Sequence, residues 1–325
     1  MKTMLITGVS GFIGQALSRS LLNTNYGIKG IIRPKKYSLP RFLNNNQDFF
    51  TIDPSKSDLG LTDAISNVDT VIHLAARVHI THETASDPLL AFCEVNLELT
   101  KKLMECAIKA RIRRFIFIST LNLYVDGSCY DDKIFNEKDE VNPQTPYAIS
   151  KHEAEQYLSD IAKKTDVEVV IIRPPLVYGP RVKANFLSLL KLTKTGLPLP
   201  VGLLHSKRSM ISVNNLVDFI ICCIEHPSAA NETFLISDDC DISTKELFSK
   251  LIKLFGKRPM LLPIPPKLLH TLGCLLGKKE IVDRLCAPLQ VDIAKAKTLL
   301  NWKPIQTLDD GLKETVEWYK KEHLS

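Results

Sequence analysis

The sequence has little of what marks several specialised classes of protein. None of its eight cysteines belongs to a Cys-x-x-Cys pair, and Cys222 and Cys223 are adjacent. Because the cysteines and histidines lack metal-ligand spacing, we expect no metal site and free thiols in a reducing compartment. Aromatic residues make up only 7% of the chain and do not alternate with its short basic clusters. Nucleic-acid binding is therefore not expected.

Long apolar runs and a strong excess of one charge are also absent. The longest late apolar stretch, Leu268–Leu276, is broken by His270, Thr271 and Gly273 and is far shorter than the roughly 20 residues of a membrane span. No secretory signal opens the sequence, which predicts a soluble cytoplasmic protein and leaves open only contact of this stretch with a membrane surface. The net charge of +6, from 42 basic and 36 acidic residues, fits a basic cleft for an anionic small molecule.

What is present is an alternation of strands and helices in the first half of the 325 residues. Short apolar runs predict strands at Met4–Thr7, Ile28–Ile32, Phe49–Ile52, Asp69–Leu74, Phe115–Thr120 and Val167–Arg173. Amphipathic spacing predicts helices at Phe12–Leu22, Leu97–Ala110 and Ser150–Lys164. Strands separated by helices of this length predict an α/β fold, a doubly wound parallel sheet with helices on both faces.

After Arg173 the pattern changes, because prolines cluster and helices are joined by loops and short strands. Helices are predicted at Phe186–Thr195, Val213–Glu225 and Thr244–Leu254, with a short strand at Thr233–Ile236. We therefore predict a first domain over residues 1–173, to which some later segments return. A smaller C-terminal lobe over residues 174–325 would bind the substrate.

A glycine-rich turn joins the first strand to the first helix. The turn and the start of the helix form the predicted cofactor cradle: Gly8, Ser10, Gly11, Phe12, Ile13 and Gly14. Gly8 permits the tight turn, Gly11 lets the backbone approach a pyrophosphate, and Gly14 lets the helix pack on the sheet. The first N–H groups of the helix are then available to the anion. This context predicts a dinucleotide cofactor; the alternative is a purely structural turn.

The end of the second strand indicates which dinucleotide to expect. Arg33, followed by Lys35 and Lys36, suits charge-assisted bonds to a 2′-phosphate, which favours NADP(H) over NAD. The alternative is that Arg33 stacks on the adenine while the lysines are solvated. Asp53 follows the third strand and is expected to accept from the adenine amino group, or else to cap the next helix. NADPH is thus the first choice of cofactor and NAD the second.

Tyr147 and Lys151 form a Tyr-x-x-x-Lys pattern on a predicted helix. Their spacing of four places both side chains on one helix face. A tyrosine exchanges a proton with a substrate hydroxyl only when its pKa falls toward neutrality, and a nearby ammonium group lowers that pKa. Thr120 ends a strand and offers its hydroxyl to the same substrate oxygen. These three residues are the predicted catalytic group; the alternative is an exposed helix pair.

With these motifs in place, the sequence resembles the extended short-chain dehydrogenases/reductases of the NAD-dependent epimerase/dehydratase type. The matching segments run through nearly the whole chain: the glycine turn, Asp53, His73–Ala76, Asn96, Ser119 with Thr120, Tyr147 with Lys151, Arg173–Pro180, Asn215–Asp218, Leu300–Pro304 and Gly311. The resemblance implies a Rossmann-type fold with a C-terminal lobe that binds a nucleotide sugar. It also implies a homodimer formed through the helices Leu97–Ala110 and Ser150–Lys164.

The resemblance further implies roles for individual residues. Tyr147 would be the acid/base, Lys151 would lower its pKa and bind the nicotinamide ribose, and Thr120 would share the substrate hydroxyl. Further cofactor contacts are implied for Leu74, Ala75, Ala76, Asn96 and Pro174. Contacts with the nucleotide diphosphate are implied for Asn185, Phe186, Arg208 and Arg284. Paired arginines suit a pyrophosphate because a guanidinium group binds two oxygens at once.

Among the activities of this family, the segment from Arg173 to Phe186 most resembles 4-ketoreductases that form UDP-N-acetylquinovosamine for surface polysaccharide. Reduction of the C4 ketone of a UDP-linked sugar by NADPH is therefore the first hypothesis. The alternative is a UDP-glucose or UDP-N-acetylglucosamine 4-epimerase, which uses the same residues twice and retains NAD(H). A reductase of a non-sugar ketone and a non-catalytic dinucleotide sensor are further alternatives. A 4,6-dehydratase is disfavoured because Leu121 and Asn122 stand where that enzyme has an acidic pair.

Overall fold

The computed structural model describes residues 1–22, 24–32, 48–52, 59–78, 87–124 and 133–323. Within these ranges the chain forms thirteen strands: β1 (Thr3–Thr7), β2 (Gly27–Ile32), β3 (Asp48–Thr51), β4 (Thr70–His73), β5 (Arg114–Ile118), β6 (Ile134–Phe135), β7 (Glu168–Arg173), β8 (Leu176–Tyr178), β9 (Lys207–Arg208), β10 (Met210–Ser212), β11 (Thr233–Leu235), β12 (Ile242–Ser243) and β13 (Gln290–Val291).

The same ranges contain twelve α-helices: α1 (Phe12–Leu22), α2 (Leu59–Ile65), α3 (Pro88–Cys93), α4 (Leu99–Lys109), α5 (Pro146–Ala162), α6 (Ala184–Thr195), α7 (Val213–Glu225), α8 (Thr244–Leu254), α9 (Pro266–Leu275), α10 (Lys279–Cys286), α11 (Ala294–Leu300) and α12 (Leu308–His323). A π-helical turn, Glu94–Glu98, joins α3 to α4, and a 3-10 helix, Leu121–Tyr124, follows β5. None of the described helices is long and apolar enough to cross a membrane.

The described chain places seven parallel strands in the central sheet, in the order β11-β7-β5-β4-β1-β2-β3. The strand order reverses between β1 and β4, which pair from Met4 opposite Thr70 to Thr7 opposite His73. In a doubly wound sheet this reversal opens a crevice at the carboxyl ends of the strands, where ligands bind. The predicted doubly wound parallel sheet is confirmed, and the segments that follow β1, β4, β5 and β7 share one edge.

Helices cover both faces of the sheet, because each carries an apolar stripe. On one face, α1 and α7 pack on the strands around buried residues such as Leu17 and Phe219. On the other face, α2, α4 and α5 pack around Leu103, Phe115 and Leu158. The central strands β4 and β5 are buried along their whole length, as expected for strands covered on both sides. The edge strand β11 comes from beyond residue 173; the division into domains at that residue stays a prediction.

Polar groups hold the C-terminal segments together and account for several of the matching motifs. The Tyr178 hydroxyl donates to Oδ2 of Asp238 at 2.6 Å, and Nδ2 of Asn215 donates to Oδ1 of the same carboxylate at 2.6 Å. The indole N–H of Trp302 donates to Asp218 at 2.8 Å. These bonds hold α7, which carries Asn215 and Asp218, to the segments around Tyr178, Asp238 and Trp302.

Helix α5 begins earlier than predicted. The Ser150–Lys164 prediction misses its first turn, which starts at Pro146. The Thr145 hydroxyl accepts from the Ala148 N–H at 3.2 Å, and proline at the first helical position has no N–H to leave unpaired. Tyr147 therefore lies in the first helical turn, next to the cap.

The segment before α4 also differs from the prediction. Asn96 was expected to precede a helix, but it lies inside the π-helical turn that continues α3 into α4. Single π-helical turns inside helices are common at functional sites because they shift a side chain out of the regular helical register. Here the turn places the buried Asn96 side chain against the start of α5.

Candidate active site

The glycine turn packs closely against the loop that follows β4. Gly8 has a positive φ of 72°, and a Cβ there would lie 2.9 Å from the Ala75 backbone nitrogen. A Cβ on Gly14 would lie 2.3 Å from the carbonyl oxygen of Gly8, so the helix approaches the turn only because glycine stands there. The Gly11 N–H donates to the Gly8 carbonyl at 2.8 Å and closes the turn. This cradle, open at the N-terminus of α1, fits the pyrophosphate of a dinucleotide.

His73 lies below this cradle at the end of β4 and is fully buried. The Ala75 N–H donates to the Thr7 hydroxyl at 3.1 Å, which leaves that hydroxyl to donate to Nδ1 of His73 at 2.6 Å. The Thr100 hydroxyl donates to the Asn96 carbonyl at 2.6 Å and accepts from Nε2 of His73 at 3.0 Å. The imidazole is therefore neutral with its proton on Nε2. Burial, with a further effect of Lys151, lowers the pKa of His73 to about 3.

Asn96 connects the cofactor loop to the catalytic helix. Its Oδ1 accepts from the Arg77 N–H at 2.8 Å, and its Nδ2 donates to the Arg77 carbonyl at 3.1 Å. The same Nδ2 donates to the Ser150 hydroxyl at 2.9 Å, which itself donates to the Tyr147 carbonyl at 2.9 Å. In this structure Asn96 thus fixes the backbone after Ala76 relative to Tyr147.

Thr120 and Tyr147 meet at the carboxyl edge of the sheet. Thr120 follows β5, is 8% exposed, and its hydroxyl accepts from the Asn122 N–H at 3.2 Å. Burial raises the pKa of Tyr147 to about 12, and a hydrogen bond with the Thr120 side chain acts in the opposite direction. The structure therefore brings together the two hydroxyls that the sequence assigned to one substrate oxygen.

Lys151 lies one turn further along α5 and is 1% exposed. Its ammonium group is 3.7 Å from the centre of the Phe117 ring, a cation–π contact. Burial lowers the pKa of Lys151 to about 7, while the charge of Glu155 raises it. A buried lysine with a strongly shifted pKa beside a predicted catalytic tyrosine is typical of a functional site.

A buried ion pair behind Lys151 was not among the predicted site residues. Arg173, at the end of β7, donates from Nε to both oxygens of Glu155 at 3.1 Å and from a terminal nitrogen at 2.6 Å. A second terminal nitrogen donates to the hydroxyl of Tyr124, in the 3-10 helix that follows Thr120. The pair thus ties the helix that carries Lys151 to the segment that carries Thr120. The spacing of four between Lys151 and Glu155 was the signal available in the sequence.

Ser119 was also overlooked as a candidate. It is 4% exposed, and its hydroxyl has no hydrogen-bond partner among the described residues. Buried hydroxyls are nearly always paired, so an orphaned one beside Thr120 indicates a position where a ligand or a water completes the site.

The residues predicted to bind the diphosphate differ in their burial and contacts. A terminal nitrogen of Arg208 donates to the carbonyls of Arg284 and Ala287, the latter at 2.7 Å, and its buried Nε has no partner among the described residues. Burial lowers the pKa of Arg208, as expected for a cation that meets neutral groups. The Arg284 side chain is exposed, so it is the backbone of Arg284 that meets Arg208.

Other predicted residues have simpler surroundings. The Phe186 ring is buried against Tyr178, with ring centres 5.5 Å apart, whereas Asn185 before it is exposed. The Pro174 carbonyl accepts from the Leu121 N–H at 2.9 Å, beside Thr120. The residues expected to read the adenosine half of the cofactor, Arg33 and Asp53, lie outside the described residues.

Comparisons with known proteins agree with this geometry. Residues 4–237 match the model of the NAD dependent epimerase/dehydratase family. The chain is 41% identical over 319 residues to a UDP-glucose 4-epimerase of Vibrio cholerae, with 97% of this chain and 95% of that protein covered. It is 26% identical over 332 residues to the N-acetyl-alpha-D-glucosaminyl-diphospho-ditrans,octacis-undecaprenol 4-epimerase of Escherichia coli O157:H7, with 97% and 94% covered.

The chain has the same fold as a solved structure that it matches over nearly all of its length. The crystal structure of UDP-glucuronic acid 4-epimerase from Bacillus cereus in complex with UDP-glucuronic acid and NAD superposes with a TM-score of 0.78. The two sequences are 25% identical, and the match covers 99% of this chain and 100% of that chain.

Proposed function

Because the chain belongs to the NAD dependent epimerase/dehydratase family, we propose that this enzyme is a UDP-sugar 4-epimerase that retains NAD. The observation that carries the proposal is the juxtaposition of Thr120 and Tyr147, with Lys151 one helical turn away, at the edge of the sheet beside the glycine cradle. Such a group suits reversible oxidation of a secondary hydroxyl, the step that an epimerase performs and then reverses.

The 4-epimerase was the second hypothesis of the sequence analysis, after a 4-ketoreductase that uses NADPH. The relatives support the epimerase better, since the Vibrio cholerae, Escherichia coli and Bacillus cereus proteins are all named 4-epimerases. NAD is likewise the dinucleotide in the Bacillus cereus complex. The preference for NADP(H) rested on Arg33, and the relatives give no support for it.

In the proposed reaction Tyr147 removes the proton of the C4 hydroxyl, and Thr120 holds the same oxygen by a hydrogen bond. In the site as described, Tyr147 keeps its proton at neutral pH, because burial raises its pKa to about 12. A bound NAD would supply the hydride acceptor at C4 and, through its positively charged ring, a charge that favours the phenolate. Lys151 adds positive charge on the same helix face, and Tyr147 returns the proton when the sugar is reduced again.

Arg208 is our candidate for the diphosphate of the nucleotide. Its charge is partly buried, its contacts are backbone carbonyls, and its Nε is unpartnered in the described part of the chain. The guanidinium group of Arg208 loses much of its hydration when the protein folds. Little further desolvation of this group therefore opposes its binding of an anionic ligand. Asn185 and Arg284 are exposed, and we propose them as secondary contacts on the family resemblance.

We also propose that the enzyme is a homodimer formed through α4 and α5, and that its lobes divide near residue 173. The dimer proposal rests on the family resemblance. Analytical ultracentrifugation would test it, and a monomer at micromolar concentration would contradict it.

The decisive experiment uses the full-length enzyme stripped of nucleotide and supplied with either NAD or NADP. UDP-glucose and UDP-N-acetylglucosamine are incubated separately, and products are resolved by chromatography. We expect conversion of the gluco to the galacto sugar with NAD and no net change in nicotinamide absorbance. A parallel reaction offers a UDP-4-keto-6-deoxy sugar with NADPH; stoichiometric oxidation of NADPH there, without epimerisation in the first reaction, would overturn the proposal in favour of the ketoreductase.

A further inference from the structure

Helix α9 exposes an apolar stripe that the candidate active site does not use. Four leucines spaced i, i+4, i+7 and i+8 lie on one helix face, and we call them the leucine stripe: Leu268 (49% exposed), Leu272 (44%), Leu275 (78%) and Leu276 (71%), the last of which caps the helix. In a globular protein this spacing normally marks the face turned to the core. Here it is turned to solvent.

The stripe faces outward because α9 uses a different face for packing. Leu269 and Gly273 are its buried residues, and Leu269 packs in the small core next to α8. A Cβ on Gly273 would lie 2.7 Å from a methyl carbon of Val282, so α10 presses closely on that side of the helix. The leucine stripe therefore remains uncovered after both neighbours are in place.

The hairpin formed by α9 and α10 is a defined element rather than a loose loop. The Lys278 N–H donates to the Gly273 carbonyl at 2.7 Å, and the Gly277 N–H donates to the Cys274 carbonyl at 3.2 Å. Gly277 has a φ of 64°. These bonds form the Schellman motif that ends helices at a left-handed glycine. The four leucines are thus presented from a fixed backbone.

The sequence segment that contains the stripe carries bases and no acids. Five exposed basic residues occur between the end of α8 and the start of α10: Lys257, Arg258, Lys267, Lys278 and Lys279. No acidic residue occurs from Leu247 to Lys279. The next acids are Glu280 and Asp283 on α10, and Asp283 lies 3.4 Å from His270. Acid-free segments also occur at residues 1–47 and 169–217, so this segment is set apart by the combination of its bases with exposed leucines rather than by charge alone.

We propose that the α9–α10 hairpin docks on the surface of an anionic lipid bilayer. The leucine stripe would enter the boundary between headgroups and acyl chains, and Lys278 and Lys279 at the end of the stripe would lie against lipid phosphates. The helix has ten residues, too few to span a bilayer but enough to lie in its interface. Exposed aliphatic side chains followed closely by two exposed lysines, Lys278 and Lys279, suit an anionic lipid surface better than a protein surface, whose partners are usually enriched in aromatic and paired polar groups.

Docking of this kind goes beyond the proposed epimerase activity. Tyr147 and Lys151 lie on α5 and the glycine cradle joins β1 to α1, whereas the stripe lies on α9. The full-length enzyme would be held at a membrane surface while its substrate site stays accessible to water. Turnover of a UDP-sugar in solution is therefore expected to be independent of the stripe.

The test is co-sedimentation of the full-length protein with vesicles of phosphatidylcholine alone, or of three parts phosphatidylcholine to one part phosphatidylglycerol. We expect binding to the anionic vesicles that weakens as salt is raised, and little binding to the neutral ones. The variant with Leu275→Ser and Leu276→Ser should lose at least about tenfold in partition coefficient. Lys278→Gln with Lys279→Gln should lose about tenfold at low salt.

A matched control changes two exposed apolar residues elsewhere, Leu299→Ser with Ile305→Ser, which are 38% and 66% exposed. It should bind vesicles as the wild type does. The proposal is overturned if the wild type binds neither vesicle, or if the leucine and lysine variants bind as well as the control. It is also overturned if the wild type self-associates in sedimentation velocity and the leucine variant does not, since the stripe would then contact a second copy of the chain.

Discussion

Helices α5 and α9 depart from the usual distribution of side chains in opposite directions. Helix α5 buries Ser150, Lys151 and Glu155, each 3% exposed or less, whereas α9 leaves four leucines at least 44% exposed. Polar groups belong outside and apolar groups inside unless something compensates. On α5 the compensation lies within the chain, in hydrogen bonds, the ion pair and the Phe117 ring. On α9 the described part of the chain offers none, which is why we propose a partner outside it.

The comparison separates two ways in which a helix departs from the pattern expected of it. Buried charge with internal partners places reactive groups at fixed distances, and loss of one partner leaves the other buried and unpaired. Exposed leucines make few contacts within the isolated protein, so replacing them should change its free energy of unfolding only slightly. Substitutions of the buried polar residues on α5 should therefore act on activity and stability, and those in the leucine stripe of α9 on association alone.

The largest effect is expected at the tyrosine hydroxyl of α5. Tyr147→Phe removes the acid/base group and should lower kcat by about 10²- to 10⁴-fold, with little change in the free energy of unfolding. The control is Tyr157→Phe on the same helix, which should keep its activity. Steady-state epimerisation assays compare the three proteins. Near-normal turnover by the Tyr147→Phe variant would contradict an acid/base role for Tyr147.

Breaking the buried ion pair should cost the most stability. Glu155→Leu leaves the Arg173 guanidinium buried without its carboxylate and should reduce the free energy of unfolding by about 3–5 kcal/mol. Adding Arg173→Leu should recover much of that loss, because the unpaired charge is gone. Asp160→Asn, which breaks an exposed pair with Lys163 on the same helix, should cost at most about 1 kcal/mol. Urea denaturation measures all four proteins, and equal costs at both pairs would contradict this reading.

His73 should make stability depend on pH. Its pKa is lowered from 6.5 to about 3, so between these values the unfolded chain binds a proton that the folded chain does not. Stability from this group therefore falls as pH falls through that window, by up to about 1.4 kcal/mol per pH unit. His73→Gln should flatten the acid limb of stability against pH, measured by urea denaturation. Thr100→Val keeps the buried imidazole and should therefore retain the slope of stability against pH. An unchanged slope in His73→Gln would show that the pH dependence does not come from His73.

The smallest effect should come from the leucine stripe. Leu275→Ser with Leu276→Ser should change the free energy of unfolding by at most about 0.5 kcal/mol per residue, because neither side chain is packed. Leu269→Ala, on the buried face of the same helix, should cost about 2–5 kcal/mol. Thermal and urea denaturation distinguish the two faces. A comparable loss in both variants would mean that the stripe supports the fold.

Residues close together in the sequence were the ones whose structural role could be predicted. The glycine turn and the Tyr-x-x-x-Lys pattern each lie within a single short segment, where spacing alone fixes the geometry. The α/β order followed from strand and helix periodicity in the same way. The starts of helices were predicted less accurately. Capped by Thr145, α5 begins about one turn earlier in the sequence than predicted, and the π-helical turn at Asn96 has no signal in the hydrophobic periodicity.

The sequence by itself determined the doubly wound sheet, the cradle at Gly8–Gly14 and the shared helix face of Tyr147 and Lys151, because local periodicity and backbone sterics decide these features. Tertiary structure alone decided that Arg173 meets Glu155, that Asn96 meets Arg77 and that Arg208 meets backbone carbonyls. Those contacts join segments 18 to 79 residues apart, and no local spacing encodes them. It also decided which face of α9 is buried, because two apolar faces compete on that helix, and the packing of Leu269 next to α8 and of Val282 against Gly273 selects between them.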